Sequence, residues 1–513
     1  MGVLLLRQHY SNHKNEKATN EIDDMRFGFR KIVLSLASAG LITSFHLGAA
    51  QAPKHQYKPD GYSIVTIETP KDERFHVTGL DSDSKGVIWV ATRFGDVWYY
   101  KNDTWFKFAQ GLHEPTGLLV DDDGSLLVSQ KPELTRLIDS DNDGVADVYE
   151  TVVNDWTFND NYHEFNFGPV KDEQGNLYGT LNLSHNNPDA FTMGAMGSPG
   201  GYRGFAYQVT KEGEFVPYAW GLRSPAGLGT SPKGEVFYTD NQGDWVPTSK
   251  LHLLQQDKFY GHPVSLVDVE GYTRESIKQM SLEQLEKMSE TPVVWIPHVE
   301  VANSPGNPEW DTTEGKFGPF SGQIFIGDQT QSNVFRVLLD KVNGQYQGAV
   351  INFMNKFQSG NVRAEFDVNG QLWIGQTARG WGAQGSKPFG LEKVVWDGTT
   401  PFELHDIKLT KTGFRIAFTD TLSAKSVTKE SLVAQSWHYH YSSNYGSPKM
   451  ALTTLPISEV TLLDDGKTIE VTLPLTAGKV VQIDFAGLKD EKGRATSVDK
   501  VYYTLNQLLE GAQ

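Results

Sequence analysis

Four aspartates, Asp139, Asp141, Asp143 and Asp147, alternate around Gly144 in the stretch LIDSDNDGVADVYE at residues 137–150. Carboxylates at every second position, followed by a glycine turn and a further acid, let one short loop wrap several oxygens around a hard cation such as Ca2+. Without a cation the loop repels itself. The flanks are not helical, so the expectation is a stand-alone structural calcium loop. Three other stretches carry residues of catalytic type: DNYHEFNFGP (160–169), GLRSPAGLGTSPKGEVFYTDNQGD (221–244) with FYGHP (259–263), and NVRAEFDVNGQLWIGQTARGWG (361–382). In the first, His163 is the one imidazole able to exchange a proton near neutral pH, or a hydrogen-bonded structural histidine. In the second, Arg223 is a cation for an anionic or polarised group, or a structural partner of Asp240 or Asp244.

Scattered residues of this kind need a scaffold that gathers them. One local signal recurs: a glycine turn followed by a buried or alternating run, in KGVIWVA (Gly86), DGSLLVS (Gly124), QGNLYGT (Gly175), KGEVFYT (Gly234), SGQIFIG (Gly322) and NGQLWIG (Gly370). Each reads as a turn into an inner, buried strand. Six copies over some 300 residues suit one four-stranded blade per copy, hence an all-β chain with a six-bladed β-propeller over residues 55–396. Such propellers bind ligands where loops of several blades converge at the mouth of the central channel. The segment TRESIKQMSLEQLEKMSE (273–290) has helical periodicity and reads as an insertion packed outside the propeller. Beyond the linker WDGTTPFE, short strands over residues 402–507 predict a small immunoglobulin-like β-sandwich. Its SWHYHYSSNYGSP segment puts His438 and His440 on one strand face, for a metal or a sugar, but reads better as an aromatic patch packed on the propeller.

The 513 residues include no cysteine, which excludes disulfides, thiolate metal sites, cysteine nucleophiles and covalent c-type haem. A formal charge of -17 argues against nucleic acid as a partner. From Met25, read as the start, a basic n-region (Arg26, Arg30, Lys31), a short apolar middle and the small residues Gly48 and Ala50 read as a signal peptide cleaved after Ala50, with residues 1–24 upstream of it. The expectation is a periplasmic or secreted protein that does not span the membrane once the signal is removed; no later segment is apolar enough to cross a bilayer.

The second stretch resembles the soluble quinoprotein glucose dehydrogenases and the wider glucose and sorbosone dehydrogenase family. The order Gly221-Leu222-Arg223-Ser224-Pro225, Gly227-Leu228, Gln242-Gly243 and Tyr260-Gly261-His262-Pro263 carries the likeness. The resemblance implies a six-bladed propeller that uses pyrroloquinoline quinone (PQQ) and calcium to oxidise a sugar or sugar derivative. It assigns Arg223 to substrate and quinone, Gln242 to the quinone, and the Gly243 carbonyl to a catalytic calcium, with Asp244 in place of a proline beside it. His163 becomes the base that takes the hydroxyl proton as hydride leaves for the quinone. Ser224 stands where the family has a quinone-contacting asparagine, Thr330 where it has a lysine, and Asn361 where it has one of two arginines. Arg363 is the other, and Arg379 the candidate substitute for the missing cation. A tricarboxylate cofactor needs cations to offset its desolvation. Electrons would pass to an external acceptor, since no cytochrome motif is fused. Two other readings stay open: a calcium-dependent propeller hydrolase or lyase using Asp160, Glu164, Asp240 and Asp244, and a non-catalytic glycan-binding propeller.

Overall fold

In the computed structural model, residues 56–186 and 191–511 are described; the segment read as upstream sequence and signal peptide lies outside them. Six antiparallel blades of four strands stand around a ring, five as separate sheets and the fifth blade as part of a larger sheet. Their innermost strands are Val77–Ser82, Gly117–Val120, Asn166–Lys171, Pro225–Thr230, Pro305–Trp310 and Asn361–Phe366. Each packs on the next, and the sixth packs on the first, so the ring closes. Closure is also covalent in order: Tyr62–Thr66 supplies the outermost strand of blade 6, pairing Tyr62 with Trp396.

The recurring glycine turns do not lead into the inner strands, as the sequence pattern predicts, but from them into the second strands of each blade. Gly86, for example, joins Val77–Ser82 to Ile88–Thr92. The reason lies in burial. Second strands are covered by the neighbouring blades on both faces, so Leu177–Leu181 and Ile324–Asp328 are buried throughout and read as apolar runs. Inner strands line a narrow polar channel and are rich in Gly, Pro, Asn and Thr, which hides them. Their glycines permit the close approach: a Cβ on Gly117 would lie 1.6 Å from the Gly168 carbonyl oxygen of the next blade.

The C-terminal strands form a sandwich. One sheet holds Leu404–Leu409, Gly413–Phe418, Thr468–Thr472 and Glu459–Leu462. The other is continuous with blade 5, because Lys500–Leu505 pairs with the outer strand Gln345–Asn355, giving eight strands in one sheet. Ala349 and Ile351 of that blade sit in the same core as Phe414, Ile416, Val481 and Tyr503. The sandwich is therefore welded to the propeller along a strand edge, a junction that also removes two exposed edges.

The predicted helical insertion is two short helices, Arg274–Lys278 and Leu282–Met288, each opened by a capping box. They bury Ile277 and Leu285 against Trp245, Phe259, Leu266 and the sandwich residue Tyr441. Among the described residues no helix is long and apolar enough to cross a membrane.

Candidate active site

Counting seven residues beyond each recurring glycine gives Arg93, Lys131, Asn182, Asn241, Gln329 and Thr377. All are polar or charged, and all make one equivalent bond: the backbone N–H of each donates to a carbonyl just before or at the start of its blade's inner strand, His76, His113, Phe165, Ser224, Ser304 and Gly360 respectively. The propeller thus builds a ring of six polar positions at one end of the channel. This is the mouth.

On the side of blades 3 and 4 the mouth contains the residues singled out from sequence. The turn Gly221–Pro225 enters the fourth inner strand, and its backbone N–H groups at Arg223 and Ser224 donate to the two carboxylate oxygens of Asp240, at 3.0 and 2.8 Å. The Tyr260–Pro263 motif holds the same turn from behind, with His262 N donating to the Gly221 carbonyl at 2.8 Å. The spacing shared by these two motifs is thus one interlocked pair of turns.

His163 bridges blades 3 and 4. Its Nδ1 lies 2.8 Å from the Leu183 carbonyl oxygen and its Nε2 3.0 Å from Ser224 Oγ. A carbonyl only accepts, so Nδ1 carries the proton and Nε2 presents its lone pair to the Ser224 hydroxyl. Burial, with Arg223, His185 and Arg203 adding positive charge nearby, holds the imidazole down to about 3. It is neutral at any physiological pH.

Arg223, 3% exposed, donates from Nε to Asp244 Oδ1 at 2.8 Å. Asp244 Oδ2 accepts from Met196 N at 3.0 Å and lies 3.3 Å from His262 Nε2. His262 Nδ1 accepts from Val264 N, so the neutral ring donates through Nε2. Burial alone would raise the Asp244 carboxyl; the His262 hydrogen bond and the Arg223 charge overcome it and hold the group far below the usual carboxylate range. Gly243 is required here because the guanidinium lies flat on it: a Cβ would sit 1.9 Å from the Arg223 Cζ.

Two expected metal ligands are accounted for differently. The Gly243 carbonyl accepts from Gly446 N at 3.0 Å, and both Asp244 oxygens are taken by Arg223, His262 and Met196. These donors do not fit a mouth-bound calcium through Gly243 and Asp244. Gln242, expected at the quinone, packs its side-chain amide against Gly446, where a Cβ would meet Nε2 at 2.4 Å. Both changes come from one long-range feature: the segment Tyr441–Ser447 of the sandwich lies along residues 242–247, as the His438–Pro448 aromatic patch packs on the propeller.

Arg363 is also elsewhere than the resemblance implies. It stands in the channel itself and donates to the carbonyls of Thr78 at 2.8 Å, Thr116 at 2.6 Å, Ala226 at 2.8 Å and Val362 at 2.5 Å, with Phe167 5.0 Å away. It ties together inner strands of blades 1, 2, 4 and 6, and four of its five N–H donors are taken by backbone carbonyls. Burial pulls it down to about 10, so it remains charged.

A group of cations, of which sequence reasoning found Arg379 alone, stands across the mouth on blades 1, 2 and 6. Arg74 and Arg379 flank the Phe94 ring at 3.6 and 4.6 Å, and Arg93 covers Phe165 at 4.5 Å. One carboxylate, Glu114, serves Arg93 at 3.5 Å, Lys131 at 3.5 Å and Arg379 at 3.9 Å. Arg93 is 7% exposed, and its Nε faces Glu114 as an ion pair without making a hydrogen bond; Asn241 Oδ1, on blade 4, is buried without a hydrogen-bond partner. Burial and then the charges of Arg379, Arg93 and Arg74 depress His76 to about 4. Three cations around one carboxylate, with Arg74 stacked beside them on Phe94, in a chain of charge -17, give this wall a local excess of positive charge suited to an anion. The sequence singles out Arg379; Arg74, Arg93 and Lys131 each stand alone in their segments, and the seven-residue offset is the signal that finds Arg93 and Lys131.

Far from the mouth, Asp139, Asp141 and Asp143 bring carboxylate oxygens within 4.8 Å of one another, in the loop joining Leu134–Ile138 to Val148–Val153 at the outer edge of blade 2. Asp147 turns away from them to accept from Ser140 N and Oγ at 2.8 and 2.5 Å.

Residues 100–330 match a family described as a domain of unknown function, DUF7133. No curated protein matches the sequence. Among solved structures, the chain is similar to a putative oxidoreductase (glucose dehydrogenase) from Thermus thermophilus, at 17% identity and a TM-score of 0.49 over 65% of this chain and 100% of that one. It is similar to the PQQ-bound aldose sugar dehydrogenase of Streptomyces coelicolor, at 15% identity and a TM-score of 0.47 over 66% and 99%. A third is the soluble aldose sugar dehydrogenase of Escherichia coli in its apo-form, at 16% identity and a TM-score of 0.44 over 65% and 99%. At these identities the likeness is one of fold.

Proposed function

We propose that this protein is an exported sugar dehydrogenase-like oxidoreductase that oxidises a sugar or sugar derivative with a quinone tricarboxylate of the PQQ type bound in the propeller mouth. The observation that carries the reading is the pairing of a neutral imidazole, His163, with a cation-rich wall, Arg74, Arg93 and Arg379, across one mouth. A tricarboxylate fits that wall, because burying it requires positive charge that is not already spent. Arg93, Lys131 and the half-exposed Arg379 share the single carboxylate of Glu114, so the wall keeps net positive charge, whereas Arg363 is bound to backbone carbonyls of the channel. The cofactor, when bound, supplies the two-electron acceptor.

The chain's own residues supply the rest. His163 Nε2 takes the hydroxyl proton of a substrate alcohol that displaces Ser224 Oγ from it, while the Nδ1 proton stays on the Leu183 carbonyl and fixes the ring. Arg223, anchored at Nε by Asp244, offers its terminal nitrogens to the developing oxyanion. An anion in the mouth offsets the positive charges that depress His163, raising its basicity when the site is filled. Residues Asp139, Asp141 and Asp143 are assigned to a structural calcium on the outer edge of blade 2, supported by their convergence. The basic and apolar pattern from Met25 supports export.

The hydrolase reading loses three of its four carboxylates, and the fourth, Asp160, is exposed. Asp240 is bonded to two backbone N–H groups, Asp244 to three donors, and Glu164 to Asn159 N and Ser184 Oγ. The test of the dehydrogenase reading is to titrate purified protein with PQQ and follow the quinone absorbance, then add aldoses with a soluble dye as external acceptor. Quinone uptake followed by sugar-dependent bleaching is expected; absence of uptake at micromolar PQQ removes the reading.

A further inference from the structure

The sandwich does more at the mouth than pack against it. Its segment from Tyr441 to Ser447 is fastened to the propeller by a row of bonds: Trp245 N donates to the Ser442 carbonyl at 3.0 Å, Gly446 N to the Gly243 carbonyl at 3.0 Å, Ser447 N to the Pro247 carbonyl at 2.7 Å, and Tyr441 Oη to the Gly261 carbonyl at 2.5 Å. Tyr445 pairs across to Asp244 in this short ladder. Gly446 lies at φ +72, and any side chain there would strike the Gln242 amide. So much anchoring fixes the exposed tip of the segment, Asn444 and Tyr445. Tyr445 is 56% exposed, and its ring stands 5.3 Å from the Arg223 guanidinium.

Tyr162, beside His163 with ring centroids 5.8 Å apart, is the other exposed phenol of this wall, at 39%. Burial raises its hydroxyl, and the charges of Arg93, Tyr445 and Arg223 all register on it, so the two phenols and the Arg223 guanidinium lie within electrostatic reach of one another. A flat, apolar ring face held rigidly beside a proton acceptor and a guanidinium is what a pyranose requires: its C–H face stacks on the ring while its hydroxyls turn to the polar groups. An exposed aromatic contributes little to the core, so packing does not explain the fastening.

We propose that Tyr445, brought to the propeller mouth by the C-terminal sandwich, is the stacking platform for the ring of an aldose substrate, so that the sandwich supplies a specificity-determining residue. This rests on the sugar-oxidising reading for the identity of the ligand, and binding is measured separately from turnover. Saturation-transfer NMR with the full chain and D-glucose, D-galactose, D-mannose and D-xylose gives the affinity of each. At least one aldose should bind, Tyr445→Phe should stay within about twofold of it, and Tyr445→Ala should weaken it about tenfold or more. Gly446→Ala, which displaces the arm without altering the ring, should weaken it comparably. Where turnover is measurable, Tyr445→Ala should raise KM with kcat within about threefold. Equal binding by Tyr445→Ala, a fall in Tyr445→Phe as large as in Tyr445→Ala, or no aldose binding by the unaltered chain overturns the proposal. Binding that behaves as expected without any quinone-dependent oxidation overturns the dehydrogenase reading and leaves this one standing.

Discussion

Replacing Arg363 separates two views of the channel. If it holds the cofactor, as the family pattern implies, Arg363→Met should abolish cofactor uptake and leave stability almost unchanged. The geometry says the reverse. Three of its hydrogen bonds cross between blades, to Thr78, Thr116 and Ala226, and all three end on backbone carbonyls that have no other route to so many inner strands at once. A hydrogen bond from a charged group contributes about 1.5 kcal/mol or more, so losing three costs about 4.5 kcal/mol. Methionine fills similar volume and removes a buried charge, returning about 1–2 kcal/mol of desolvation. The expected net loss is about 3 kcal/mol. With a urea m-value of about 3 kcal/mol per M for a large chain, the unfolding midpoint should fall by about 1 M.

The assay is equilibrium urea unfolding followed by tryptophan fluorescence, run beside Arg363→Lys. Lysine keeps the charge but has a single nitrogen, which cannot reach blades 1, 2 and 4 together. Its midpoint should lie between those of the methionine variant and the unaltered chain, and its PQQ affinity should stay within about threefold. A methionine variant within about 0.5 kcal/mol of the unaltered chain would refute the axial-tie argument, all the more so if it had lost cofactor uptake.

Arg93→Met and Arg379→Gln should each weaken PQQ uptake about tenfold with little change in thermal stability, and the remaining affinity should fall more gently with added salt, as checked by absorbance titration between about 0.05 and about 0.5 M salt. His163 is neutral in the folded chain down to about pH 3 but titrates near 6.5 when unfolded. Between those values the unfolded state binds the extra proton, so this contribution to stability falls by up to about 1.4 kcal/mol per unit as pH drops from about 6.5 toward 3. His163→Gln should flatten that limb of the stability profile in urea melts, and should lower kcat about a hundredfold or more. Proton NMR of the imidazole should show its pKa rising when PQQ binds. For the acidic loop, EDTA should lower the melting temperature and excess calcium restore it, whereas Asp141→Asn should melt low in either condition; a chain indifferent to EDTA would remove the structural calcium.

What the sequence displays is whatever a short window controls. The second strands are visible because two neighbouring blades bury both faces, and the linked motifs Gly221–Pro225 and Tyr260–Pro263 are visible because a bond from His262 N to the Gly221 carbonyl constrains both. The inner strands are hidden because their close approach around a narrow channel selects small and polar residues, the opposite of the usual core signal. Arg363 misleads for a related reason: its partners are backbone carbonyls from three other blades, and carbonyls have no letter in a sequence. Arg93 and Lys131 are individually invisible, yet the fold makes them equivalent to Asn241, and that equivalence is written in the register of the glycine repeat. The arm carrying Tyr445 has no such trace, since its anchor Tyr441 lies 180 residues from Gly261. The mouth is therefore made of two kinds of residue: those the sixfold repeat places, which give the polar ring with Arg93 and Lys131, and those the blade-connecting loops, the interlocked turns and the appended sandwich place, which give this chain its imidazole, its anchored Arg223, Arg74 and Arg379, and its exposed ring. A change of substrate among relatives should then track the second group and leave the first in place.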